Sequence, residues 1–482
     1  MSEPASFDGR EGARRRYVIV GLGGRSYLYL TALTGAHRDH GELVGLCDSN
    51  PGRLARAAAV AARYGAPDRS TCDPGDFERM LEKTKADAVI VTSPDYTHAD
   101  YIVRALRRGR DVVTEKPLAI DAESCRRIFD ARRASGRRVT VGFNYRYSPA
   151  RTLAKQVLAS GAIGRITAVN FEWRLDTHHG ADYFRRWHRN KRNSGGLLVH
   201  KATHHFDLIN WWLASTAREV RAEGRRAFYR PETATRLGLT GRGERCAGCP
   251  AFARCPVKLD LSASRALTGL YSENEGHDGY FRDQCVFAPE IDIEDTMHAT
   301  IDYENGVAVN YLLTAYNPGE GYRVVFHGER GELTLETIER PYVEADGGLP
   351  RPAPPELTTL TVQPLFSRAY QLEIPAAEGD HGGGDAQMLS HLFGAREDPF
   401  HRAADDRAGA WSALVGIAAN APIATGAPSR LDDLAGDIER PDPETAPFGP
   451  EPPWRSFDPS RYPFMTGAKP LPWPQPPASA DG

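Results

Sequence analysis

Tyr17-Val18-Ile19-Val20-Gly21-Leu22-Gly23-Gly24-Arg25-Ser26 decides the fold. Four consecutive apolar residues of β-forming type suit a strand buried on both faces, and glycines placed between such a strand and a helix form a phosphate-binding turn. Gly21 permits the tight turn, Gly23 lets backbone N–H groups approach a pyrophosphate at the helix N-terminus, and Gly24, Arg25 and Ser26 complete the loop. Ser26 stands where a third glycine is usual.

Working outward, short apolar runs recur at 43–46, 88–91, 112–113 and 139–141, alternating with helix-like stretches at 53–64, 98–108 and 122–135. The last of these is N-capped by Asp121 and closed by Gly136. The alternation predicts an α/β chain that begins with a Rossmann doubly wound parallel sheet, built by right-handed crossovers. Asp48 follows the second run, about 20 residues past the glycines, where a carboxylate accepts hydrogen bonds from the adenosine ribose and repels a 2′-phosphate. NAD is therefore expected in preference to NADP, with Arg53 read as a solvated helix residue.

Beyond residue 146 the order changes. Helices are expected at 150–160 and from about 198 to 213, and strands at 166–173, 298–303, 307–314, 322–327 and 332–336, the last two flanking Gly328-Glu329-Arg330-Gly331. A late helix at 404–420 is expected to stop at Pro422. This predicts a C-terminal α+β domain with a large, mostly antiparallel open sheet. The expected division is a flexible start at 1–15, a nucleotide-binding domain at 16–146, a substrate and oligomerisation domain at 147–436 with a cysteine-containing insert around 230–290, and a Pro-rich tail at 437–482.

A chain of 482 residues suits two self-sufficient cores. Its 60 basic and 63 acidic side chains leave a net charge of -3, so no basic field points to nucleic acid or anionic membrane. No stretch approaches the ~20 apolar residues of a membrane span, and the polar start carries no signal peptide, so a cytoplasmic protein is expected. Seven cysteines, an odd number, argue for reduced thiols rather than a disulfide framework.

The chemistry begins at Glu115-Lys116-Pro117, which follows the apolar run 111–114. Strand ends are where open α/β sheets bind ligands, so a primary amine here sits beside any nucleotide the sheet holds. Lys116 can act as a base or as a cation that holds an alkoxide, and desolvation beside an oxidised nicotinamide lowers its pKa toward working pH.

Taken with Thr92-Ser93-Pro94, His98, Asn144-Tyr145-Arg146 and Gly195-Gly196 ahead of a His-rich segment, these motifs resemble the Gfo/Idh/MocA oxidoreductases over about residues 17–331. The resemblance implies a Rossmann domain, a C-terminal domain whose open sheet often mediates homo-oligomers, and hydride transfer between nicotinamide and a sugar or polyol. It places Ser93, His98, Glu115 and Asn144 at the cofactor, and matches His204 to the family's catalytic histidine. Four residues earlier the family commonly has Asp, and this chain has His200.

His200, His204 and Asp207 recur at i, i+4 and i+7, which predicts one polar stripe on a helix, facing the cleft. An alternative is a divalent metal held by the two histidines with Asp207, His178 or His179. Tyr183 and Trp187 are candidates to cover the C–H face of a sugar, with Arg146 and Asp207 as further substrate contacts. Cys246, Cys249, Cys255 and Cys285 are spaced for a structural zinc; an iron–sulfur cluster and free thiols are the alternatives.

The function expected is NAD-dependent dehydrogenation of a carbohydrate hydroxyl by Lys116 and His204. Relatives suggest two others: a redox-neutral glycosidase that oxidises, eliminates and reduces with one retained NAD, and a nucleotide- or sugar-sensing protein akin to a galactose-responsive repressor.

Overall fold

The computed structural model describes residues 14–442 except 67, 68, 378, 380, 395–397, 399 and 401. The expected flexible start and Pro-rich tail therefore lie almost wholly outside the described residues.

Six strands form the first sheet's parallel part: β1 (Arg15–Val20), β2 (Gly41–Cys47), β3 (Ser70–Cys72), β4 (Ala88–Val91), β5 (Asp111–Thr114) and β6 (Val139–Val141). Their spatial order is β6-β5-β4-β1-β2-β3, which is a doubly wound Rossmann sheet. The order reverses between β1 and β4, so the loops after β1, β4 and β5 open at the same edge. Those loops carry the glycines, Ser93 to His98, and Glu115-Lys116.

The sheet is helix-covered on both faces, and every residue of β4 is buried. The helix Ala122–Ser135 has the expected caps: the Asp121 carboxylate accepts from the Ser124 N–H at 2.7 Å, and Gly136 adopts φ 63°.

The second sheet begins with β7 (Ile166–Asp176), β8 (Ala217–Arg225), β9 (Thr296–Tyr303) and β10 (Ala308–Asn317). It continues with β11 (Glu320–Gly328), β12 (Gly331–Arg340), β13 (Leu357–Pro364) and β14 (Tyr370–Leu372). With β16 (Ser429–Arg430) it has nine strands in the order β14-β13-β12-β11-β7-β10-β9-β8-β16, antiparallel except for β7 beside β10. Gly328 pairs with Gly331, so β11 and β12 form the tight hairpin expected from sequence. One face, with Trp173, Tyr311 and Leu313, is buried under helices; the other exposes Asn170, His298, Thr300 and Asn310.

Three features depart from the sequence reading. The stretch 198–213 is not one helix: Leu197–His200 and Thr203–Leu213 are separate, joined through Lys201-Ala202. At the join, the Ala202 N–H reaches back five residues to the Leu197 carbonyl at 2.9 Å, a widened turn of the kind that interrupts helices at functional sites. The late helix, Asp406–Thr425, runs through Pro422, which is buried near its end; a single lost N–H bond is outweighed there by packing.

The chain also returns to the first sheet. β15 (Ala404–Asp405) pairs antiparallel with β6, and the helix Gly384–Phe393 sets Met388, Leu392 and Phe393 into the same core as Tyr17, Tyr29 and Leu33. The Phe393 and Tyr17 rings meet edge-on at 5.1 Å. Residues 16–146 thus do not by themselves complete the N-terminal sheet.

Candidate active site

Gly21 adopts φ 84°, and a Cβ there would lie 2.4 Å from the Ser93 backbone. The glycine is required both by its conformation and by the loop packed on it. A Gly21→Ala variant is expected to fold with NADH affinity reduced at least tenfold, read by fluorescence titration; unchanged affinity would show that this turn does not shape the nucleotide site.

Asp48, at the end of β2, accepts from the Leu22 N–H at 2.6 Å and the Asn50 N–H at 2.7 Å. The strand end is thereby tied to the glycine loop. Arg53 is not the solvated residue expected: its guanidinium joins Asp48 at 3.2 Å to Asp278 at 2.7 Å. Ser26 is fully buried and donates its hydroxyl to the Gly23 carbonyl at 2.7 Å, which stiffens the loop from beneath instead of facing a ligand.

Arg25 ties the loop to the rest of the site. Its Nε donates to Glu115 at 2.6 Å and its Nη2 to Asp385 at 3.0 Å, while Asn144 donates to Asp385 at 2.8 Å. Glu115 also accepts from the Tyr29 hydroxyl at 2.7 Å, so it orients the loop more than it touches Lys116. His98 sets one ring nitrogen 2.8 Å from the Pro117 carbonyl and the other 2.9 Å from the Ser93 carbonyl, locking the two loops together.

Lys116 projects into a cavity of 610 Å³ that is also lined by the glycines, Asp48, His200 and His204. Its Nζ donates to the His200 carbonyl at 3.0 Å. Desolvation lowers its pKa to about 8; the Asp95 carboxylate opposes that shift and the Lys201 ammonium adds to it.

His200 Nδ1 lies 2.6 Å from Asp95 Oδ2, at the end of the loop after β4. Burial holds the imidazole pKa well below its usual range and the carboxyl pKa well above, so the pair shares a proton and leaves Nε2 for a ligand oxygen. His204 stacks on Tyr145 with ring centroids 4.1 Å apart, and burial with the nearby Lys116 charge holds it neutral as well. Lys201, in the turn between the two helices, donates to the Tyr145 hydroxyl at 3.1 Å. Tyr183 and Trp187 stand in the same cavity wall, with His179 bonded to both Glu320 (2.6 Å) and Tyr183 (3.0 Å).

Arg146 and Asp207 are not in that wall. They bond each other at 2.8 and 2.6 Å, both buried, because the helix Thr203–Leu213 is packed on all sides and its single carboxylate needs a cation. The expected stripe of His200, His204 and Asp207 is therefore broken. His178 contacts the Gly347 carbonyl, and among the described residues no group of these histidines is arranged to hold a metal.

The four cysteines of the insert line a separate cavity of 30 Å³. None is in a disulfide, and the sulfurs of Cys249 and Cys246 accept backbone N–H groups at 3.3 and 3.4 Å. Burial raises the pKa of Cys246 and Cys255. Among the described residues no group of three or more His, Cys, Asp or Glu is arranged to hold a metal, so the zinc expectation finds no support. The insert is braced instead by Arg245, which bonds Glu275 at 2.8 Å and Asp283 at 2.8 Å.

Sequence reasoning missed Asp95, Lys201, Asp385 and the insert's reach over the nucleotide loop. The Tyr271 hydroxyl accepts from the Gly24 N–H at 3.4 Å, and the Asn274 carbonyl accepts from Asn50 at 2.9 Å. Asp95 and Lys201 were visible as charges beside Thr92-Ser93-Pro94 and His200; nothing local marks the others.

Comparison with known proteins bears on the two sheets. Residues 15–143 match the model of the oxidoreductase family's NAD-binding Rossmann fold, and residues 155–429 that of its C-terminal alpha/beta domain. YteT of Bacillus subtilis, which carries a general oxidoreductase name, is 35% identical over 419 residues, covering 83% of this chain and 94% of YteT. An inositol 2-dehydrogenase of Gluconacetobacter diazotrophicus is 40% identical over 131 residues, 27% of this chain and 37% of that protein. Among solved structures, levoglucosan dehydrogenase in complex with NADH and levoglucosan matches with TM-score 0.60 and 18% identity, over 87% of this chain and all of that one, 100%. With both family models covering most of its length in the order the two sheets occupy, the chain belongs to the Gfo/Idh/MocA oxidoreductase family.

Proposed function

We propose that the protein is an NAD-dependent dehydrogenase that oxidises a secondary hydroxyl of a sugar or polyol, with Lys116 as the base. The observation that carries the reading is the Lys116 amine, desolvated to a pKa of about 8, in one cavity with the glycine loop and two neutral histidines. The names of relatives, inositol 2-dehydrogenases and a levoglucosan dehydrogenase, support the substrate class.

The residues present fit the cofactor: Gly21, Gly23 and Gly24 leave backbone close to a pyrophosphate, and Asp48 stands at the ribose position, favouring NAD over NADP. Bound nicotinamide supplies the hydride acceptor. Neutral Lys116 takes the hydroxyl proton at Nζ, while His200 Nε2 and the His204 ring hold the oxygen as it becomes a carbonyl. Tyr183 and Trp187 cover the sugar's C–H face. We assign this work to two domains, residues 16–146 and 147–436, the second contributing β15 and the helix Gly384–Phe393 to the first sheet, in a cytoplasmic homo-oligomer that buries the open sheet face.

Because the amine is the active form and its pKa is lowered, kcat/KM for oxidation should rise with pH and level off above about pH 8. A profile flat from pH 6 to 10 would remove Lys116 as the base. The test of the whole reading is NADH formation across a panel of sugars, polyols and sugar acids. No turnover with any of them, using NAD or NADP, would overturn it.

One observation favours a redox-neutral glycosidase as second reading: the insert closes over the nucleotide loop at Gly24, Asn50 and Arg53, an arrangement suited to retaining NAD. Co-purified NAD, with cleavage of a chromogenic glycoside and no net NADH, would establish it over the first.

A further inference from the structure

We propose that the substrate bears a carboxylate, as in a uronic or aldonic acid, and that Lys201 is the residue that binds it. The inference rests on the dehydrogenase reading and deepens it.

The charge around the cavity carries the argument. Lys116 and Lys201 both line it, and among the described residues neither has a carboxylate within ion-pair distance: Lys116 donates to a backbone carbonyl and Lys201 to the Tyr145 hydroxyl. Lys201 is only 5% exposed, and its ammonium lies over the Trp173 ring at 4.8 Å. A buried ammonium held by one phenol and one ring face is under-satisfied, since it has three donors.

The third cation at this end, Arg186, contacts Asp182 at 3.3 Å, but that carboxylate is shared with Arg282 at 2.7 Å and Arg185 at 3.7 Å. Arg186 Nε has no hydrogen-bond partner among the described residues. Each carboxylate near these cations is already engaged: Asp95 by His200, Glu115 by Arg25 at 2.6 Å, Glu320 by His179 and Arg340, and Glu339, which Lys201 feels electrostatically, by Arg151 at 3.8 Å. An oxidised nicotinamide adds one more positive charge. A neutral polyol would leave the Lys201 ammonium without a charged partner in a desolvated space; a carboxylate supplies one and forms charge-assisted hydrogen bonds.

A competing role for Lys201 is electrostatic tuning of Lys116, whose pKa it helps depress. The two roles separate experimentally. With NAD, matched pairs are compared: glucuronate with glucose, galacturonate with galactose, gluconate with glucitol. Wild-type protein should favour the acid by at least tenfold in kcat/KM. In Lys201→Met the acid-to-neutral ratio should collapse by about 10–100-fold through KM for the acid, while loss of the neighbouring ammonium lets the pH midpoint rise. Lys201→Arg should keep the preference, and NADH titration of each variant confirms an intact nucleotide site.

If neutral sugars are used as well as acids, or if Lys201→Met moves the pH midpoint without changing the ratio, the inference is overturned and the dehydrogenase reading stands. If no sugar of either kind gives NADH, both fall.

Discussion

Lys116→Met is expected to lower kcat/KM for sugar oxidation by about 10²–10⁴-fold, the usual worth of a positioned general base. Methionine keeps the length and apolar stem of lysine but has no nitrogen to take the hydroxyl proton. Nothing else in the cavity replaces it: His200 and His204 are held neutral by burial and are poised to donate to oxygen or accept weakly, and Asp95 is bonded to His200. The loss should fall on kcat more than on KM. NADH affinity should change little, because the nucleotide loop is fixed by Arg25, Glu115 and Asp48 rather than by Lys116. Removing the ammonium also lifts a repulsion from an oxidised nicotinamide. A variant that kept a tenth of wild-type kcat/KM would refute the assignment.

Asp207→Ala is expected to destabilise the fold by about 3–5 kcal/mol, the cost of leaving a buried cation without its partner. Both Arg146 nitrogens that face Asp207 are engaged, and the pair lies beneath the Trp211 ring, out of reach of water. Urea denaturation followed by circular dichroism measures the effect. Where the variant remains folded, KM should stay within a few-fold of wild type. A raised KM with unchanged stability would instead return Asp207 to the substrate site, where the helical spacing first placed it. The two outcomes fall on different measurements, stability in one case and KM in the other.

The contrast between these residues explains what the sequence made legible. The glycine loop, Asp48 and Glu115-Lys116 are set by local patterns: a buried strand, a turn that needs positive φ, a charge at a strand end. Reading those patterns placed the Rossmann sheet correctly. The antiparallel sheet was readable for the same reason, since β9, β10 and β12 alternate buried with less buried residues.

What was not legible depends on distant partners. Asp207 reads as a cleft residue on an ideal helix, but the interruption at Lys201-Ala202 changes which side chains face the cavity, and Arg146 captures the carboxylate. Asp95 becomes meaningful only when it meets His200 from another domain's chain segment. Four cysteines within one insert suggest a metal by spacing, yet among the described residues no group is arranged to hold one, and the insert is braced through Arg245. The same insert then contributes Tyr271, Asn274 and Asp278 to the nucleotide rim, a contact separated from its partners by more than two hundred residues of sequence.

The return of β15 to the first sheet has a consequence for biosynthesis. During translation, β6 emerges early and presents its outer N–H and C=O groups to whatever strand is near, while its proper neighbour, paired Ala404 to Val141, is still unmade. Roughly 260 residues must follow, which at about 5–20 residues per second is some 10–50 s during which the nascent sheet has an open flank. The apolar hollow filled by Met388, Leu392 and Phe393 waits equally long. A chaperone or the ribosome surface would have to shield that flank, and ribosomes stalled between residues 150 and 380 should yield a nascent chain far more prone to aggregate than one released at full length.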